Sequence, residues 1–255
     1  MKIIGTQSLT LVQELLESEL PTRPRVYEAG GGSASVLPRS ILEEAEVTVV
    51  DIDPTQLKNN SYAATKILGD IQTYTFAPSS FDAIVCFNVV EHLNDPEKAI
   101  RLFYESLAPK GLIFIGAPVR NSLSGWVTRV TPHWFHVLYY RWVLKYSSAG
   151  KPGSVPFPTI FHPIVQPERL LKLCRELGCE VKYFCQYRGM IYENMSERRP
   201  FLGRLLLAMV SILNLAAVGR KDLRDGDFHL VVAKPEKRRA DSIIHDGSVE
   251  NICRG

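Results

Sequence analysis

Val26-Tyr27-Glu28-Ala29-Gly30-Gly31-Gly32-Ser33-Ala34-Ser35 is the stretch on which the reading of this chain turns. A short apolar and aromatic run gives way to three consecutive glycines, and small polar residues follow. The pattern predicts a strand, a tight turn and then a helix near Ser33–Glu44. Glycines let backbone approach a ligand closely and adopt conformations closed to larger residues. A helix starting behind them would add unpaired N–H groups and the positive end of its dipole, which suit a carboxylate or phosphate. Taken alone, the same glycines would also suit a flexible surface loop.

The pattern repeats on both sides. Strand candidates fall at Arg25–Ala29, Val47–Ile52, Phe81–Phe87 and Leu112–Gly116, with helices expected near Pro54–Lys66 and Pro96–Leu107. Asn94 or Asp95 can cap the last of these helices, and Pro96 suits its first position. Leu9, Leu11, Val12, Leu15 and Leu16 recur at helical spacing and predict a helix ahead of the first strand. Beyond residues 118–165 the alternation resumes, with a helix at Pro167–Leu177 and a strand at Glu180–Tyr187. An apolar helix at Leu205–Val218 and a final strand at Phe228–Ala233 complete it. Strands that are apolar on both faces and separated by helices argue for a doubly wound α/β fold, its sheet mostly parallel with one antiparallel strand near the end. With 255 residues, 45% apolar and 22% charged, the chain can bury such a core, and disordered or fibrous classes are excluded. We expect one domain over residues 1–234, with 118–165 inserted as a helical lid and 235–255 as a polar tail.

Asp51 ends the second strand candidate, 19 residues after Gly32. An acid there can accept hydrogen bonds from both ribose hydroxyls of an adenosine ligand. A nicotinamide dinucleotide would also use these features, but its Gly-x-Gly-x-x-Gly fingerprint fails here, with Ser35 at the third position. Glu28, two residues before the first glycine, sits badly beside a pyrophosphate and well beside a cationic amine. The sign of that charge points away from a dinucleotide.

The chain resembles the class I S-adenosylmethionine-dependent methyltransferases of the small-molecule type, similar to those of ubiquinone and menaquinone biosynthesis. Glu28-Ala29-Gly30-Gly31-Gly32 is similar to that family's first motif, with Ala34 where the last glycine would stand. Val50-Asp51-Ile52-Asp53-Pro54 resembles the second motif and Gly69-Asp70-Ile71 the third. Asn88-Val89-Val90-Glu91-His92-Leu93 resembles the loop after the fourth strand. The likeness runs from about residue 24 to 117 in order and spacing. It implies a Rossmann-like sheet of seven strands and S-adenosyl-L-methionine as cofactor. Gly30, Gly31 and Gly32 would lie against its methionine part, with Glu28 near the amino end. Asp51 would hold the ribose, and Ile52 would pack on the adenine, whose edge would meet Asp70 and Ile71. Asn88 and Val89 would lie near the sulfonium. The resemblance also implies transfer to oxygen of a small-molecule or lipid-like acceptor. His92 is the first candidate for general base, because its unperturbed pKa of about 6.5 suits proton removal near neutrality. His133, His136 and His162 are weaker candidates. Binding of the cofactor without catalysis, or use of the fold as a membrane-surface scaffold, are the alternatives.

The remaining signals lie in charge and aromaticity. Residues 118–165 hold nine of the 24 aromatic residues, all three tryptophans (Trp126, Trp134, Trp142), five basic residues and no acidic one. A second basic cluster, Arg198, Arg199, Arg204, Arg220, Lys221 and Arg224, surrounds the apolar helix. The net charge of +3 therefore hides strong segregation. Two readings stay open. These segments build their own small core and cover the sheet, or they serve a lipid-like acceptor and touch a membrane through residues 198–224. Nucleic acid is not expected, since Asn88-Val89-Val90 does not resemble the loop of methyltransferases acting on base amino groups. The five cysteines form no Cys-x-x-Cys pair, which argues for reduced thiols in a cytoplasmic protein and against a metal site.

Overall fold

The computed structural model describes residues 5–151, 154, 156–189, 195, 197, 199–216 and 225–236. Seven strands form one sheet: β1 (Arg25–Ala29), β2 (Glu46–Asp51), β3 (Thr65–Leu68), β4 (Phe81–Phe87), β5 (Leu107–Pro118), β6 (Glu180–Arg188) and β7 (Asp225–Ala233). Their spatial order is β3-β2-β1-β4-β5-β7-β6. The first five run parallel, whereas β7 lies antiparallel to both β5 and β6. The strand order therefore reverses between β1 and β4. A crevice opens at such a switch point, beyond the carboxyl ends of the strands, and ligands of open α/β sheets bind there.

Helices cover both faces, as apolar strands require. On one face Tyr27, Ile84, Ile113 and Phe228 meet Ile100 and Phe103 of α4 (Pro96–Ser106) and Leu170 and Cys174 of α7 (Pro167–Glu176). On the other, Val26, Val47 and Phe114 meet Val12 and Leu16 of α1 (Gly5–Glu19), Ile41 of α2 (Arg39–Glu44) and Leu57 of α3 (Pro54–Asn59). Val26 and Tyr27 point to opposite faces because the side-chain period of a strand is two. Asp95 caps α4 by accepting from the Lys98 N–H, with Pro96 in the first turn.

Three expectations need correction. The glycine turn does not run straight into a helix: α2 starts only at Arg39, after Leu37-Pro38, and proline biases the residue before it away from helical backbone. The helix expected over Pro54–Lys66 stops at Asn59, because Asn60 turns the chain and its side-chain oxygen accepts from the N–H groups of Tyr62 and Ala63. The residues released form β3, the sheet's seventh strand, which the residue pattern alone does not show. Cys86, Cys174 and Cys179 are free and buried, whereas Cys185 is disulfide-bonded and so is not a reduced thiol.

The insertion is helical, with α5 (Leu123–Val130), α6 (His133–Leu138) and a π-helical turn over Tyr139–Val143. The apolar helix is α8 (Pro200–Ala216). Of the stretch 198–224, Arg198, Arg220, Lys221 and Arg224 lie outside the described residues, as does the expected tail beyond Glu236. No described helix is long and apolar enough to cross a membrane. Beneath α1, the His229 ring bonds to Ser8 Oγ and to the Tyr187 hydroxyl, each at 2.8 Å. Burial pushes its pKa down to about 3, so it is a satisfied core histidine.

Candidate functional site

Four strand ends converge on the crevice. Gly30 follows β1, and its N–H donates to the Val50 carbonyl on β2 at 2.8 Å, tying the start of the glycine turn to the neighbouring strand. Its φ of +69° is left-handed backbone, and an added Cβ would stand 2.6 Å from a Val89 methyl. Val89, just beyond β4, therefore packs directly on the turn. Asn88 before it also has a positive φ, +54°, which Asn tolerates better than most residues. Its N–H donates to the Gly116 carbonyl on β5 at 2.8 Å.

Asp51 closes the turn from the β2 side. One carboxylate oxygen accepts from the Gly32 N–H at 3.0 Å and the other from the Asp53 N–H at 2.8 Å. Each oxygen keeps a further lone pair for a ligand hydroxyl. Ile52, the next residue, is 73% exposed, an apolar platform with no protein neighbour covering it. Asp70 lies just past β3, where its carboxylate accepts from the Gln72 backbone and side-chain N–H groups. It thus caps a turn while standing at the crevice edge. Ile71 differs: its side chain is buried in the core, leaving only its backbone for any ligand contact.

Glu28 is buried, with one carboxylate oxygen accepting from the Ser35 hydroxyl and the other from the Tyr62 hydroxyl. Burial pushes its pKa up, and these two hydrogen bonds pull it back. Sequence reasoning missed the partners that shape the turn. Gln56 Oε1 accepts from the Ser33 N–H at 3.1 Å, Asn60 Nδ2 donates to the Gly32 carbonyl at 2.8 Å, and Tyr62 reaches Glu28. They sit on α3 and the loop behind it, and their only sequence signal was a polar run after Asp53-Pro54.

The Glu91-His92 loop follows the carboxyl end of β4. His92 Nδ1 lies 2.6 Å from the Pro158 carbonyl, which can only accept, so the proton is on Nδ1, and the unprotonated Nε2 lies 3.7 Å from Glu91 Oε1. Burial lowers the His92 pKa, so the ring is neutral near pH 7. Glu91 is almost fully buried, its Oε2 has no hydrogen-bond partner among the described residues, and burial pushes its pKa up to about 8. The Glu91 carbonyl accepts from the N–H groups of both Ile160 and Phe161 at 2.9 Å, fastening the returning end of the insertion to this loop. The other histidines do not converge here. His133 is exposed on α6, His136 bonds to Thr131, and His162 Nδ1 accepts from the Ile164 N–H.

Residues 28–115 match the methyltransferase domain family. The chain is 23% identical over 157 residues to a ubiquinone biosynthesis O-methyltransferase of Leptothrix cholodnii, a stretch covering 62% of this chain and 57% of that relative. Residues 28–115 thus carry a methyltransferase domain, and the match, the relatives and the fold support a class I S-adenosylmethionine-dependent methyltransferase. Among solved structures, the fold resembles phosphoethanolamine N-methyltransferase 2 of Haemonchus contortus in complex with S-adenosyl-L-methionine. That match has a TM-score of 0.55 at 17% identity and covers 91% of this chain and 53% of that one. A putative methyltransferase from Bacillus halodurans gives a TM-score of 0.54 at 15% identity, covering 89% and 98% respectively.

The methyltransferase crevice fits the family's cofactor in shape and charge. Side chains at positions 30 and 31 would collide with Val89 and with the Glu28 Cβ, so the backbone there stays bare. Asp51 and Asp70 stand at the edge as acidic groups, with the buried Glu28 carboxyl behind the turn, an arrangement suited to a cationic ligand. Ile52 stands ready for a flat aromatic ring. Glu28, Gly30, Gly31, Val85 and Phe87 line a small cavity of about 50 Å³ beside the glycine turn.

Proposed function

We propose that this methyltransferase transfers the methyl group of S-adenosylmethionine to an oxygen atom of a lipid-like small molecule. The observation that carries the reading is the meeting of the bare glycine turn and the Asp51 carboxylate beyond the carboxyl ends of the strands, with His92 on the loop after β4 as the candidate base. When bound, the cofactor supplies an activated methyl group. The chain supplies position. Asp51 would accept from the ribose hydroxyls, Asp70 and the Ile71 backbone would meet the adenine edge, and Ile52 would cover its face. Gly30 to Gly32 would admit the methionine part, with Glu28 near its amino group and Asn88 and Val89 toward the sulfur. Alignment of this kind supplies on the order of 7–11 kcal/mol through effective concentration.

His92 Nε2 takes the proton of the acceptor hydroxyl, and the ring stays in the correct tautomer because Nδ1–H is held by Pro158. Oxygen as target is supported by the name of the relative above, and a lipid-like acceptor by the aromatic insertion. Residues 118–165 act as the lid over the acceptor, since their returning end is fastened to the Glu91 carbonyl. The test is incubation with methyl-labelled cofactor and fractionated cell extract. Label in a solvent-extractable fraction is the expected result, lost in His92→Ala with cofactor affinity retained. Label confined to protein or nucleic acid overturns the reading.

A further inference from the structure

We propose that the aromatic face of the insertion and the outer stripe of α8 together form a docking surface for an anionic lipid bilayer. The first observation is exposure. Trp126, Trp134 and Trp142 are 54%, 62% and 71% exposed, so none of the chain's three tryptophans is used in its core. Phe135 and Leu138 on α6 are exposed beside them.

The second observation is a helix face that the described residues leave exposed. Phe201, Leu205, Met209 and Ile212 recur at steps of four, four and three residues, which places them along one side of α8, and all four are exposed. Among the residues of that helix whose burial is described, Gly203 and Val210 are buried. The two surfaces meet: Arg199, at the start of α8, donates through Nη2 to the Trp142 carbonyl at 3.4 Å.

Charge selects the occupant. Residues 118–165 carry five basic side chains and no acidic one. Arg141, Lys145 and Lys151, with Trp142 and Ser147, rim an open groove of about 570 Å³. Tryptophan beside lysine and arginine suits the bilayer interface, where the ring lies at headgroup level and the cation meets phosphate. A second copy of this chain would bring the same basic face against itself, because a two-fold contact pairs each patch with its twin. A nucleic acid would leave the four apolar residues of α8 without a counterpart. Because no described helix can cross a membrane, the contact is lateral, with the apolar side chains entering from one face.

The test uses the full chain with vesicles of phosphatidylcholine, alone or mixed with phosphatidylglycerol, and neither cofactor nor acceptor. Its failure is thus separate from failure of the methyl-transfer reading. All tryptophan emission comes from the proposed face, so fluorescence reads that face alone. Mixed vesicles are expected to shift the emission to the blue, to quench it when brominated lipid is included, and to sediment at least tenfold more protein than phosphatidylcholine alone. Trp134→Ser with Trp142→Ser, and separately Leu205→Asp, each reduce sedimentation at least fivefold with circular dichroism unchanged. Sedimentation with unmoved emission, or undiminished binding by these variants, reduces the contact to unspecific charge and overturns the proposal. A blue shift that follows protein concentration without vesicles overturns it in favour of self-association, and an equal shift with duplex oligonucleotide overturns it in favour of nucleic acid.

Discussion

At position 30 the backbone is left-handed and the space above it is filled by Val89. Gly30→Ala therefore brings both strain and collision into the turn, and we expect at least a tenfold loss of cofactor affinity by calorimetry, equivalent to about 1.4 kcal/mol. Asp51→Ala removes an acceptor for the ribose and also frees the Gly32 N–H, and should weaken cofactor binding by about 1–3 kcal/mol. Unchanged affinity in both would remove the ligand from this crevice. Glu91 gives a pH signature. Its pKa rises from 4.5 to about 8 on folding, so between these values the unfolded chain has lost a proton that the native chain keeps. Stability therefore falls as pH rises through that window. Glu91→Gln should melt higher than the parent at pH 8, with the difference closing near pH 5. The glycines and Asp51 were legible in the sequence because their chemistry is local. Gln56, Asn60 and Tyr62 were not, since what matters in them is the partner they reach across the chain.

Elements are shaped by their ends here. Asp53 accepts from the N–H groups of Thr55 and Gln56 and so starts α3, the helix that carries Gln56 to the glycine turn. Asp53→Ala should cost about 1 kcal/mol of stability in chemical denaturation. It should also reduce cofactor affinity, because the capped helix positions a residue of the site. The strands of the central sheet were legible, since apolar residues dominate each of them. β3 was not: Thr65-Lys66-Ile67-Leu68 is a short edge strand, largely exposed, and its identity comes from pairing with β2. The early start read for α2 failed for a related reason. Ser33, Ala34 and Ser35 carry no helix-breaking signal, but Ser35 is drawn to Glu28 and Pro38 sets the later start.

Across the whole molecule, the sheet closes on a buried imidazole. His229 sits between β5 and β6 with its ring bonded to Ser8 and Tyr187, and stays neutral until about pH 3 against an ordinary 6.5. Below 6.5 the unfolded chain binds a proton that the native chain refuses, so stability drops as pH falls from 6.5 to 3, by up to about 1.4 kcal/mol per pH unit. His229→Gln should flatten that slope in urea titrations at pH 6.5 and 4.5. The strand bearing this histidine is the last of the seven in the chain, yet it occupies an interior place, with β5 and β6 on its two sides. During synthesis both neighbours leave the ribosome before it, and each presents an unsatisfied row of amides to solvent. The sheet cannot be completed until residues 225–233 emerge, so a nascent chain stalled short of them holds two borders open to wrong pairing.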